Sequence, residues 1–237
     1  MRKLTYVLLF GLIATLVIAC TSADEDAVAE PAAQEVVEQQ DAVGESVGES
    51  VADNIFGEAI ANDFEPISAS GQGDGTIAGL PGGAFVVRAS HDGEGRFLVE
   101  PFMANGEYAN ASPIMEDGAY SGYHLMYNYD LSEGIAGLSV KTDGLWEIDV
   151  LPVSHIPDLE PGIEYTGNRV LFWDSGAATV SLLHDGDGAF MVIAYTRERE
   201  HFIASTLGRF SEIVNMPEGL SIFVVTADGT WSISDAE

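Results

Sequence analysis

Two stretches set the same chemistry-bearing residues at the same spacing: HDGEGRFLV at 91–99 and HDGDGAFMV at 184–192. Asp92 with Glu94, and Asp185 with Asp187, are hard oxygen donors of the kind that bind Ca²⁺. Calcium takes about six to eight oxygens, and each loop offers two carboxylates. Asp143 of the TDG turn or Asp228 of the ADG turn would have to complete the shell, and only if those turns lie at the same end of the fold. His91 and His184 contribute one nitrogen per copy with no cysteine nearby, too few for a zinc site. The competing reading is structural. Asp-Gly is a hairpin signal because both residues tolerate positive φ. His91 shares parity with Phe85, Val87 and Ala89 and so closes a buried face at a strand end. The pattern favours a turn with a hydrogen-bonded histidine at its base.

Catalysis has less support. No serine sits in a nucleophile-elbow context, and no glycine-rich phosphate loop leads into a helix. With 38 acidic residues in the chain, a Glu/Asp pair for sugar hydrolysis can be drawn anywhere and carries no weight. The expectation is a protein that is not an enzyme and needs no cofactor, with Ca²⁺ as the alternative.

The repeated phrase belongs to a longer self-match. At an offset of 93 residues, Gly83-Ala84 faces Gly176-Ala177 and Val87 faces Val180. At an offset of 85, Glu133-Gly134 faces Glu218-Gly219, Asp143-Gly144 faces Asp228-Gly229, and Trp146 faces Trp231. Ordered anchors of this kind mark an internal repeat. The difference of eight predicts a longer loop in the first copy, within 104–118. Two units follow, 66–153 and 160–237.

Each unit reads as β. Short pieces such as GAFVVRAS, GRFLVEPFM and LWEIDV, or AATVSLL, AFMVIAYT and TWSIS, alternate apolar and polar residues between Gly-Asp punctuation. Trp146, Ile148 and Val150 oppose Glu147 and Asp149, and Trp231 and Ile233 oppose Ser232 and Ser234. Six or so strands in about 80 residues predict small antiparallel β-sandwiches. Trp146 and Trp231 are the expected core anchors, together with His91 and His184 at the strand ends. Burying an indole contributes about 2–3 kcal/mol, so loss of either tryptophan should unfold its module. The first copy alone carries a run of tyrosines. On the 85 offset Tyr127 faces Glu212 and Tyr123 faces Gly208, so Tyr120, Tyr123 and Tyr127 are candidates for stacking on a glycan or anchoring a protein partner. The alternative is that they pack the longer loop or the interface between copies.

The N-terminus reads differently. MRKLTYVLLFGLIATLVIAC has Arg2 and Lys3, then an uncharged apolar run, then the only cysteine. This is a secretory signal pattern. Val17-Ile18-Ala19-Cys20 resembles the lipobox of bacterial lipoproteins. That resemblance implies cleavage after residue 19, a lipidated Cys20 and anchorage in a bacterial membrane. Thr21 in place of Asp implies the outer membrane if the host is Gram-negative. Residues 20–65 hold the cysteine and an acidic stretch with 13 Asp or Glu and no Lys or Arg, a composition expected to stay a disordered tether. Loss of Arg2 and Lys3 leaves 7 basic against 38 acidic residues, a formal charge of −31, which excludes nucleic acid as a partner. With one cysteine no intramolecular disulfide is possible.

The plan resembles bacterial surface lipoproteins with tandem β-sandwich modules, and the modules loosely resemble small jelly-roll domains of the pre-peptidase C-terminal type. The resemblance implies extracytoplasmic display. The expectation is all-β, with two tandem jelly-roll-like repeats after a signal peptide and acidic linker. Its role is a non-enzymatic binding or structural module at the cell envelope with a glycan or protein partner. The alternative is a calcium-stabilised surface adhesion module using the two HDG loops.

Overall fold

A computed structural model describes residues 56–57, 62–129 and 134–236, all within one compact unit, Ser46–Glu237. Cys20, the signal segment and most of the acidic tether lie outside the described residues. The first repeat contributes eight strands: β1 (Ile67–Gln72), β2 (Gly75–Ala78), β3 (Phe85–His91), β4 (Arg96–Phe102), β5 (Ile114–Asp117), β6 (Tyr120–Met126), β7 (Gly137–Lys141) and β8 (Leu145–Leu151). The second contributes β9 (Glu164–Thr166), β10 (Arg169–Ser175), β11 (Ala178–His184), β12 (Ala189–Tyr195), β13 (Glu200–Leu207), β14 (Phe210–Met216), β15 (Gly219–Ala227) and β16 (Thr230–Asp235).

The protein is all-β. The first repeat pairs sheets ordered β1-β8-β3-β6 and β2-β7-β4-β5; the second pairs β9-β16-β11-β14 and β10-β15-β12-β13. The two orders are identical under the repeat, and every strand pair is antiparallel. This is the eight-stranded jelly-roll arrangement, two sheets joined by crossing connections. Period-2 patterning places Phe85, Phe97, Leu138 and Ile148 in one core and Leu182, Phe190, Phe223 and Trp231 in the other, all essentially inaccessible. Trp146 and Trp231 stand in those cores as expected, and Trp173 is a third buried indole.

Five strands escape the sequence pattern: β1, β2, β5, β9 and β10. β1 carries Gly71 and β2 opens on Gly75 because a Cβ at either position would strike the Trp146 indole. The length difference between copies is also not a single insertion. His91 pairs with Tyr120 where His184 pairs with Phe210. The offset is thus 90 at β6, so three of the eight residues fall before β5 and five between β6 and β7. By this register Tyr123 is equivalent to Ile213 and Tyr127 to Pro217, which replaces the matches to Gly208 and Glu212.

The repeats pack together. Val86, Leu125 and Tyr127 from the first meet Val170, Ile193, Tyr195 and Ile222 from the second. The stretch 151–162 contributes to this seam: Val153, in a 3₁₀ turn at Val153–His155, and Ile156 just after it are buried there. The seam positions are apolar only where the copies meet. Val86 and Leu125 correspond to Thr179 and Asn215, and Val170 and Ile193 correspond to Thr76 and Glu100. Neither outer face thus repeats the pattern of the seam.

Candidate functional site

In each repeat four of the connections that cross between sheets lie together at one end of the jelly roll. These are β1–β2, β3–β4, β5–β6 and β7–β8 in the first repeat, and the repeated phrase is the β3–β4 crossing. It is therefore not a hairpin between paired strands. Gly93 and Gly95 are not among the glycines with positive φ. A glycine is needed at 93 because a Cβ there would collide with Asp143 Oδ1 and His91 Nε2.

His91 ties these turns together. Its ring is buried and stacks on Phe97, with centroids 4.9 Å apart. Nδ1 lies 3.1 Å from the Gly118 carbonyl and so must carry the proton. Nε2 then accepts from the Gly93 N–H at 3.1 Å and from the Thr142 hydroxyl. The aspartates close the clasp reciprocally. Asp92 accepts the Leu145 N–H at 2.7 Å, Asp143 accepts the Gly95 N–H at 2.9 Å, and Asp74 accepts the Thr142 N–H at 3.1 Å. Trp146 Nε1 donates to the Gly73 carbonyl at 2.9 Å.

The second clasp repeats nearly every bond. His184 stacks on Phe190 at 4.4 Å and donates from Nδ1 to the Gly208 carbonyl at 3.0 Å. Asp185 accepts the Thr230 N–H at 2.7 Å and Asp228 accepts the Gly188 N–H at 2.5 Å. Asn168 replaces Asp74, accepting the Ala227 N–H at 2.9 Å, and Trp231 Nε1 donates to the Gly167 carbonyl at 3.0 Å. Two bonds are missing: neither the Gly186 N–H, the counterpart of Gly93, nor a side-chain hydroxyl bonds His184 Nε2. Ala227 stands where Thr142 stands, and His184 Nε2 is buried without a hydrogen-bond partner, 3.2 Å from Asp228 Oδ1.

The HDG and DG turns do meet at the same end, as a calcium shell would need. Asp92, Asp143, Asp185 and Asp228 each already accept a backbone N–H from the facing turn. Glu94 and Asp187 are exposed. Among the described residues no group of three or more His, Cys, Asp or Glu is arranged to hold a metal ion.

The three tyrosines do not form an open face. Tyr127 is buried in the seam, edge-on to Tyr129 and with its hydroxyl 3.5 Å from that of Tyr195. Burial pushes its phenol pKa upward. Tyr123 is half-buried beneath the Arg169 guanidinium, 5.4 Å from the ring centre. The correction follows from packing: the sheet face that carries Tyr123 is covered by the second repeat, whereas the equivalent Ile213 stays exposed. Tyr120 differs. Its ring packs on Phe97 as Phe210 packs on Phe190, but its hydroxyl reaches a cleft of about 440 Å³ between the repeats. Glu116, Ser121, Asn168, Thr226 and Asp228 also line that cleft. Asn168 Nδ2 donates to Tyr120 Oη at 3.3 Å. Burial, first, lifts the Tyr120 phenol to about 12, and burial also raises the Glu116 carboxyl. Sequence reasoning missed Glu116, Asn168 and Thr226, since only the contact between repeats assembles them. The one available signal was Asn168 following Gly167 where Asp74 follows Gly73.

No family model and no curated protein matches the chain. Among solved structures it is similar to a conserved protein of unknown function from Pseudomonas aeruginosa, at 13% identity over 73% of this chain and 82% of that one, with a TM-score of 0.22.

Proposed function

We propose that the chain is a lipid-anchored extracytoplasmic protein whose paired jelly rolls act as a non-enzymatic binding module. The ligand we assign is a neutral glycan of the cell envelope, bound in the cleft between the repeats. The observation that carries this reading is the convergence there of Tyr120, Glu116 and Ser121 from one repeat with Asn168, Thr226 and Asp228 from the other. Carboxylates, an amide and hydroxyls accept and donate the directional bonds that sugar hydroxyls require, and two acids in the cleft repel anionic ligands. The filled cores leave recognition to such surfaces. The lipobox-like Val17-Ile18-Ala19-Cys20 supports the anchor and the location.

Titration of the full chain with neutral envelope oligosaccharides tests the ligand. Tyr120→Phe should weaken binding about tenfold, one hydrogen bond to a sugar hydroxyl, with no change in melting, since Phe210 fills the equivalent position. Equal affinity of the variant, or no binding at millimolar sugar, overturns the assignment. Cys20→Ser should move the protein from the membrane fraction to the soluble one; unchanged fractionation rejects the lipid anchor.

A calcium-stabilised adhesion module is the second reading, favoured by the meeting of the HDG and DG turns at one end. It requires melting that rises in Ca²⁺ over EDTA and loses that rise in Asp92→Asn and Asp185→Asn.

A further inference from the structure

In a chain this acidic, cations without a partner are informative. After residue 3 the chain holds seven Lys or Arg. Arg88, Arg96 and Lys141 pair with Asp149, Asp117 and Glu100, and Arg169 lies on Tyr123. The remaining three have no ion pair among the described residues; Arg209 stands apart at the β13–β14 turn, which leaves Arg197 and Arg199. Both line a recess of about 750 Å³ at the β12–β13 turn, with His201, Leu220 and two acids, Glu198 and Glu218. His201 sits close enough to Arg199 for burial and that charge together to depress its pKa.

The recess has another wall: Phe56, which is buried in the seam and also lines this hollow. Residues 46–55 are joined directly to Phe56, so the recess is within reach of their side chains. That segment, SVGESVADNI at 46–55, carries Glu49 and Asp53 and no cation. Asp53 is three residues from Phe56 and Glu49 seven. At about 3.3–3.6 Å per residue, their Cα atoms lie within about 11 Å and about 25 Å of Phe56. Tethering at that range supplies an effective concentration in the millimolar range or above. Val51, between the two acids, is an apolar match for the partly exposed Leu220.

We infer that the recess is the docking site for residues 46–55 of the same chain, with Asp53 and Glu49 meeting Arg199 and Arg197. The inference goes beyond the glycan reading and does not depend on it, since the cleft shares no residue with the recess. Its consequence is mechanical. A pull from the membrane side would reach the fold through the strapped segment and Phe56 at the seam, where both repeats share it.

Cleavage after Glu49 by a glutamate-specific protease, in the full chain, reads the docking. Arg197→Ala/Arg199→Ala should raise that rate about fivefold, the scale of two exposed ion pairs, and 0.5 M NaCl should do the same to the parent chain. Arg197→Glu/Arg199→Glu should be cut as fast. Adding Asp53→Lys to the charge-reversed chain should restore protection. Both arginines lie in the exposed turn, and unchanged melting confirms that the fold is intact. Equal cleavage in all chains overturns the inference. So does protection that depends on protein concentration, which would place a second copy in the recess. Protection lost only when a soluble acidic peptide is added, with Asp53→Lys giving no rescue, would assign the recess to a foreign ligand and overturn it too.

Discussion

Thr142 and Ala227 occupy the same place in the two clasps, and only the threonine reaches its histidine. The Thr142 hydroxyl bonds to His91 Nε2, while His184 Nε2 has no hydrogen-bond partner beside Asp228. A buried acceptor left without a partner costs about 1–3 kcal/mol. Ala227→Thr should therefore stabilise the protein by about 1 kcal/mol, or about 2–4 °C in melting for a unit of this size. Thr142→Ala should cost a similar amount. Calorimetry decides it; a fall in melting temperature for Ala227→Thr would mean that the second clasp has no room for the hydroxyl.

The glycines of the clasp make a separate prediction. A Cβ at Gly93 or Gly186 would run into the facing aspartate and the histidine ring, and one at Gly144 would strike the Gly93 backbone. The obstacle is close approach and not φ. Gly93→Ala and Gly186→Ala should each cost about 2–3 kcal/mol by urea unfolding, in the range of overpacked sites. By contrast, Gly106 has positive φ and open space around its Cβ position, so Gly106→Ala should cost about 1 kcal/mol from backbone strain alone. Equal costs at all three positions would remove the clasp's special status.

The fold was legible in the sequence to the extent that local patterning carried it. The alternation of Phe85, Val87 and Ala89, the paired tryptophans and the repeated turns led to all-β tandem sandwiches, and the sheet orders agree. What stayed hidden depended on contacts between distant segments. Asp-Gly in HDGEG reads as a hairpin turn from local statistics, yet Asp92 bonds to Leu145 and the turn crosses between sheets. The tyrosine run left a binding face and packing between the copies both open, because its covering surface, Val170 to Ile222, lies in the other copy. A comparison of copies held the missing signal: Val86 against Thr179 and Leu125 against Asn215 mark the seam, because a face that is apolar in one copy and polar in the other is covered only once. The cleft around Tyr120 and Asn168 follows from that seam and from nothing local.

Glu116 gives a pH signature. Burial, partly offset by a hydrogen bond from Asn168, raises its carboxyl pKa above the ordinary 4.5. The folded state thus binds its proton more tightly than the unfolded state. The stabilising contribution is present below pH 4.5 and is lost as pH rises through the folded value. Glu116→Gln removes the penalty for ionisation. It should melt about 1–2 °C higher than the parent at pH 7, the modest size reflecting a half-exposed group. The advantage should vanish toward pH 4. A constant advantage across that range would point to a packing effect in place of a titration.

The two tryptophans test whether the seam makes the repeats one cooperative unit. Trp231 is buried, stacked on Tyr165 at 4.6 Å, while Trp146 is covered by Gly71 and Gly75, which sit where a side chain would collide with it. Gly71 and Tyr165 are the same position in the two copies, each paired with its tryptophan. Truncation to alanine at either site should cost about 3–5 kcal/mol. If each repeat stood alone, Trp146→Ala would split calorimetric unfolding into an early transition for the first repeat and an unchanged one for the second. The seam predicts otherwise. Val86, Val153, Val170 and Ile222 are fully buried between the repeats, and unfolding one copy exposes them on the other. Both variants should therefore melt in one transition, lowered by about 6–20 °C. Two resolved transitions in either variant would show that the seam does not couple the copies.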